Sequence, residues 1–319
     1  MSVIGGLNFL GTYARFCLPF GILVALLLPD MGDQIRQIVP FIIVIIYASA
    51  MVRLDLWEVL KGSVKPRRIV QNIALCSVIL VAIPWLFFII AGSVGLPAEF
   101  LSVMVWYAVA PPIASTVWMC LLLGFRPVLA MELVVITSLI APFSGPFLSS
   151  LFLTDVVPLD SFDLFVRLAL MIAGGAVLAL GCQLLFGRQL IQQHTKAFDG
   201  VSTIAMLVFL IPVFNGISTQ ISASPQLALQ LLGLALLMNF GSQLVMIGAG
   251  CMFRSTDIKD GLNVMAVITG NRNVGLYYAA LPYEPVMGLF TAMYQVPLYL
   301  TPLFLGWLSK KNSQKPPAG

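Results

Sequence analysis

The chain has 319 residues, of which 60% are apolar and 9% charged, with a formal net charge of +4 and a mean hydropathy of +1.00. A soluble globular domain carries about 25% charged residues, so too little charge is present to clothe a water-facing surface, and the apolar excess rules out disorder. A membrane span takes about 20 apolar residues, so about ten spans would consume most of the chain and leave no sizeable soluble domain.

The first apolar run, Phe16 to Leu28, ends at Pro29-Asp30 without a small-residue cleavage site, and reads as a first span rather than a leader. Apolar stretches then alternate with short clusters of charge, Gly or Pro. Spans are predicted at 10–29, 38–56, 70–94, 99–124, 127–152, 162–186, 199–219, 226–252, 260–282 and 285–308. Each is long enough to cross as a helix, which satisfies its own backbone polar groups in lipid. The five cysteines, Cys17, Cys76, Cys120, Cys182 and Cys251, lie in apolar runs without metal-ligand spacing. They read as small buried hydrophobes with free thiols.

Charge orients the spans. The termini and the loops after even-numbered spans hold Arg15, Arg53, Lys61, Lys65, Arg67, Arg68, Arg126, Arg188, Lys196, Arg254, Lys259, Lys310, Lys311 and Lys315. The opposite side holds only Arg36 and Arg167 among basic residues, but also Asp30, Asp33, Glu99, Asp155, Asp160, Asp163 and Glu284. Cytoplasmic loops carry the Lys/Arg excess, so both termini are placed in the cytoplasm. The localisation that follows is a multi-pass plasma membrane protein, of a bacterial inner membrane.

Ten spans divide into two sets of five, residues 1–153 and 154–319, the second ending in a short cytoplasmic tail at 309–319. Because five is odd, the second set enters from the opposite side. That is the plan of an inverted-topology repeat, recurrent in secondary transporters. The predicted fold is therefore all-α and integral to the membrane, with two inverted five-helix repeats.

The fourth span is interrupted by Pro111-Pro112, followed by Ile113-Ala114-Ser115-Thr116; the ninth by Gly270-Asn271-Arg272-Asn273, with Gly275 close behind. Consecutive prolines break a helix. Broken helices at matching repeat positions point to a transport site at the bilayer midplane. An arginine at mid-span costs at least about 2.5–3.5 kcal/mol, so Arg272 needs a compensating partner. Two are available: Glu132 in the fifth span, or an anionic substrate. Each break also exposes a half-helix N-terminus, near Ile113 and Val274, which favours negative charge. The candidate substrate-binding residues are Pro111, Pro112, Ser115, Thr116, Gly270, Asn271, Arg272 and Asn273. An organic carboxylate or sulfonate is the natural guest. The remaining intramembrane polar residues, among them Asn72, Thr137, Ser138, Gln183, Asn215, Asn239, Gln243, Asn263 and Gln295, read as interhelical hydrogen bonds. No metal cluster, nucleophile elbow or P-loop appears in the sequence, so neither an enzyme nor a cofactor is expected.

These residues carry a resemblance. Ala110-Pro111-Pro112-Ile113-Ala114-Ser115-Thr116-Val117 is similar to the fourth-span Pro-Gly-Gly-x-Ala-Ser-Asn-Val of the bile acid:sodium symporter family. Thr269-Gly270-Asn271-Arg272-Asn273-Val274-Gly275-Leu276 is similar to its ninth-span Glu-Thr-Gly-x-Gln-Asn-x-Gly-Leu, and Ser138-Leu139-Ile140-Ala141-Pro142 to its fifth-span Ser/Thr-Leu-Leu-x-Pro. The resemblance implies a core domain containing the crossing fourth and ninth helices, a panel domain, and alternating access. The chain departs from the family where sodium is bound: the ninth-span Glu falls on Ile268, the Gln on Arg272 and the fourth-span Asn on Thr116.

A sodium ion about 4 Å from a guanidinium would be repelled by about 4 kcal/mol at an effective dielectric of 20. The expectation is a secondary transporter of an organic anion in which Arg272 takes the electrostatic place of sodium. Sodium-coupled symport of the family type is the alternative, with sodium and proton coupling both open. A channel or sensor would show rings of charge or a carbonyl filter, and neither is apparent in the sequence.

Overall fold

In a computed structural model, residues 3–52, 66–153 and 160–313 are described. Arg53, Lys61, Lys65, Asp155 and Lys315, the 153/154 boundary on its C-terminal side and the tail beyond 313 lie outside them.

The described residues are helical, with a single isolated β-bridge. The helices are α1 (Val3–Leu26), α2 (Val39–Met51), α3 (Pro66–Ser77), α4 (Ile83–Val94), α5 (Ala98–Val109), α6 (Thr116–Leu122), α7 (Pro127–Leu153), α8 (Ser161–Phe186), α9 (Arg188–Gln193), α10 (Thr195–Phe214), α11 (Ile217–Ala223), α12 (Pro225–Leu236), α13 (Ser242–Cys251), α14 (Thr256–Gly270), α15 (Val274–Ala280) and α16 (Pro285–Ser313). A 3-10 turn, Asp33–Ile38, leads into α2. Two five-residue π turns, Val78–Ala82 and Leu237–Gly241, join α3 to α4 and α12 to α13 into continuous rods.

Among the described residues, seven helices are long and apolar enough to cross a membrane: Val3–Leu26, Gln34–Met51, Arg68–Val94, Pro127–Leu153, Ser161–Phe186, Thr195–Phe214 and Pro225–Cys251. The protein is an all-α, multi-pass membrane protein. Its outward residues match a lipid environment: Phe20, Phe41, Val70, Phe143, Phe147, Leu170, Val177 and Leu229 are all exposed. In water such a surface would be an aggregation hazard; in hydrocarbon it is the solvated face.

The predicted fourth and ninth spans each consist of two short helices. The fourth ends its first half at Val109, with Ala110 extended, and resumes at Thr116. Pro111 and Pro112 have no amide to give to the preceding turn. The ninth stops at Gly270 and resumes at Val274, each second half being 7 residues long. The seventh predicted span, 199–219, is shifted: its helix runs Thr195–Phe214, because Gly216 adopts φ 74° and turns the chain into α11. Proline does not stop every helix, since Pro142 and Pro146 lie inside α7 and Pro297 inside α16.

α1 packs along α10, and α2 lies against both α8 and α10. Around the breaks, two buried clusters form. One runs through α5, α10, α15 and α16 and includes Tyr107, Leu210, Tyr277 and Phe290; the other joins α3, α6, α7 and α14 through Ile79, Cys120, Leu133 and Ile268. Cys76 and Cys120 are buried, Cys17 and Cys182 half-buried, and Cys251 is exposed; all five are free thiols.

Gly275 shows how closely α15 approaches α10: a Cβ built there would stand 2.7 Å from the Phe209 ring. Overpacking of this kind costs about 1–3 kcal/mol. Gly275→Ala should therefore lower the melting temperature in detergent. The double variant Gly275→Ala/Phe209→Leu should lose less than the sum of the two single losses; strict additivity would show that the contact is not limiting.

Candidate functional site

The two breaks meet. Pro112 and Arg272 form an antiparallel bridge: the Ile113 amide donates to the Asn271 carbonyl at 2.9 Å, and the Asn273 amide donates to the Pro111 carbonyl at 2.7 Å. Each interruption thus satisfies backbone groups that the other has freed, as unwound backbone at membrane depth requires.

Arg272 lies at this crossing with no solvent exposure. The expectation that it pairs with Glu132 is not met. Glu132, also buried, accepts from Arg68 Nη1 at 2.6 Å and Asn72 Nδ2 at 3.2 Å, two helical turns and less from the start of α3. Arg68 is nearer because α3 and α7 pack side by side. The Arg272 guanidinium donates instead to backbone carbonyls: Nη1 to Ala110 at 3.0 Å, Nε to Thr269 at 3.3 Å and Nη2 to Ile79 at 3.4 Å. Ala110 caps α5, Thr269 lies in the last turn of α14, and Ile79 belongs to the first π turn. A helix C-terminus carries about −0.5 elementary charge. The guanidinium therefore sits where two negative helix ends converge, which explains how a buried arginine persists without a carboxylate.

A cage of polar side chains fixes the same segment from behind. Tyr294 accepts from the Arg272 amide at 2.7 Å and donates to the Gly270 carbonyl at 2.9 Å. Tyr107 lies with its hydroxyl 2.8 Å from both the Met238 and Thr269 carbonyls, and its ring meets Tyr294 edge-on. Asn239, in the second π turn, donates to the Gly270 carbonyl, and Gln243 and Thr301 donate to Asn239 Oδ1 at 2.7 and 3.1 Å. Any side chain at position 270 would collide with Gln243 and with the Asn239 carbonyl.

In front of the crossing lies a cavity of about 150 Å³, bordered by Ile113, Ala114, Ser115, Arg272, Asn273 and Val274 at one end and by Arg15 and Asp199 among its other residues. Its walls come from α1, α2, α6, α10 and α16, and are mainly apolar: Leu18, Ile43, Ile46, Met206, Phe209 and Leu298. Asn273 donates from Nδ2 to the Tyr47 hydroxyl at 3.1 Å, tying the break to α2.

Of the residues singled out in the sequence, Ser115, Arg272 and Asn273 border this cavity. Pro111, Pro112, Thr116, Gly270 and Asn271 do not. They build the crossing: the Thr116 hydroxyl is spent on the Ile113 carbonyl, and Asn271 Nδ2 on Val267 one turn back. Sequence reasoning missed Tyr47, Trp118 and Tyr299 as cavity residues and Tyr107 and Tyr294 as the clamp. Aromatic residues in an apolar run carry no periodic signal that separates a lipid-facing ring from a buried hydroxyl donor. Among the described residues, no group of three or more His, Cys, Asp or Glu is arranged to hold a metal ion. No protein-family model matches the chain, and no curated protein does.

Glu132→Gln would leave Arg68, one-third exposed, without its carboxylate. Losing one partner of a buried pair costs about 3–5 kcal/mol, and the partial hydration of Arg68 reduces this to about 1–3 kcal/mol. A melting temperature equal to the parent's would show that the pair is energetically idle.

Proposed function

We propose that the protein is a secondary transporter that moves an organic anion by alternating access, with its site where the two interrupted helices cross. The observation that carries this reading is the antiparallel bridge between Pro112 and Arg272 beside a cavity that Arg272 itself borders. Unwound backbone at membrane depth is tolerated where it lines a cavity or lies within protein, and here it does both.

The reading includes ten spans in two inverted repeats of five. It is supported by a second matched pair: each broken helix is preceded by a rod interrupted by a five-residue π turn, Val78–Ala82 before the first break and Leu237–Gly241 before the second. Both π turns reach the same place, through the Ile79 carbonyl on Arg272 and the Asn239 amide on Gly270. Such a plan is similar to that of the bile acid:sodium symporter family, from which this chain departs at Ile268, Arg272 and Thr116.

The electrostatics favour an anion. Arg272 neutralises the two negative helix ends, α5 and α14. The positive ends of α6 and α15, at Ser115 and Asn273, border the cavity. Three of the five guanidinium N–H donors of Arg272 are held by carbonyls, which leaves two, at the edge of the cavity, for an anionic solute. Arg272 also stands in for a coordinated cation, gathering carbonyls from three segments as a bound sodium would. Transport is accordingly independent of sodium. The apolar walls accommodate the organic body of the solute. The lysine and arginine bias supports a reading with both termini in the cytoplasm, in a plasma membrane of bacterial inner-membrane type.

Purified protein should be stabilised thermally by members of a panel of organic carboxylates and sulfonates, to the same extent in sodium as in potassium salts. Arg272→Gln should abolish that stabilisation while folded protein is still recovered. Stabilisation only in sodium would defeat the substitution of guanidinium for metal. No stabilisation by any anion, with none of them taken up by proteoliposomes, would defeat the transporter reading.

A further inference from the structure

The cavity lining extends to Ala50 near the end of α2 and Asp199 near the start of α10, and in α16 to Pro302, while none of residues 278–283 belongs to it. At the far end of the second half of the interrupted ninth helix from the crossing, and in the turn after it, the chain is fastened to its neighbours over six residues, Tyr278 to Tyr283. The Tyr278 hydroxyl donates to the Pro212 carbonyl of α10 at 3.3 Å. Arg167 Nη1 of α8 donates to the Ala280 carbonyl at 3.4 Å, while its Nε pairs with Asp163 at 2.8 Å. Tyr283 holds two partners at once: its hydroxyl accepts from Gln220 Nε2 of α11 at 2.9 Å, and the Arg36 guanidinium, from the turn that leads into α2, lies 3.4 Å from its ring centroid. The ring also rests on Gly288, where a Cβ would stand 3.0 Å away.

Three neighbours that line the cavity or pack beside it, α2, α8 and α10, are thus each tied to one short segment. None of the residues in that segment lines the cavity. We infer that Tyr278–Tyr283 is the closure at that end, with Tyr283 its principal residue, and that it must part for the site to open to the other side. The inference rests on the transporter reading, whose site it serves.

The chemistry suits a reversible contact. A cation over an aromatic ring and single hydrogen bonds contribute modestly where water is at hand, and Tyr283 is 43% exposed. A buried ion pair in the same place would be costly to break. Within the closure Ala280 is 2% exposed, and Tyr277 just before it is fully buried, so the segment shields side chains from water.

The test needs no substrate. Cysteine is placed at Ala280, in a background that keeps only the buried native Cys120. The rate of labelling by a membrane-impermeant maleimide is then measured from the side on which Tyr283 lies, in vesicles of known orientation. Because this rate follows the opened population, Tyr283→Ala should raise it about tenfold, the loss of one cation–π contact and one hydrogen bond. Tyr283→Phe should give a smaller rise. Bridging Arg36→Cys to Tyr283→Cys with a short cleavable bis-thiol reagent should drop the rate below the parent's, with recovery on cleavage. Labelling of Cys120 should stay unchanged throughout; a parallel rise there would report general unfolding and overturn the inference for that variant. Rates at position 280 within twofold of the parent in both Tyr283→Ala and the bridged protein would overturn it altogether. Either result leaves anion binding to be judged by its own measurement.

Discussion

One buried guanidinium, that of Arg272, makes the centre of this molecule possible. Two helices stopped inside a protein core would confront each other with uncompensated carbonyls, a costly arrangement away from water. Arg272 collects one carbonyl from the end of each stopped helix and a third from a π turn. Its charge is tolerated because the helix ends are negative, and the helix ends are tolerated because it is charged. Remove the side chain and both problems return together. For this reason the residue serves the architecture first.

This arrangement also gives the crossing its polarity. With the negative ends neutralised behind the bridge, the resumed helices α6 and α15 present their opposite ends to the cavity. Tyr47 spans the gap from α2 to Asn273, so the hydrogen-bonding network around the break extends into the cavity wall. Around Tyr278–Tyr283 the contacts are single and polar, and Tyr283 is partly exposed, in contrast to the densely caged segment at Gly270.

Much of this was legible in the sequence. Hydropathy gave the apolar stretches, and Pro111-Pro112 and Gly270-Asn271-Arg272-Asn273 marked both interruptions, because proline and a polar run act on the backbone locally. What a side chain touches is not local. In the sequence Arg272 calls for a negative partner, either Glu132 or a bound anion. The structure shows backbone dipoles doing the compensating, while Glu132 serves Arg68 and Asn72. Thr116 and Asn271 looked like site residues but bond to their own chain. Tyr107 and Tyr294 were hidden among apolar neighbours. The end of the seventh predicted span was misjudged because Gly216 stops it through a left-handed backbone, which composition does not reveal.

The two π turns carry a constraint of a different kind. A π turn accommodates one residue more than the regular spiral, and every residue advances an α-helix by about 100°. Deleting a single residue within 78–82 would let the rod relax to an ordinary spiral and swing everything on one side of it by about that angle. The Ile79 carbonyl would leave the guanidinium, and the lipid-facing stripe of α3 would turn inward. These short stretches can therefore change their side chains far more freely than their length, and a one-codon loss there would be felt along the whole rod.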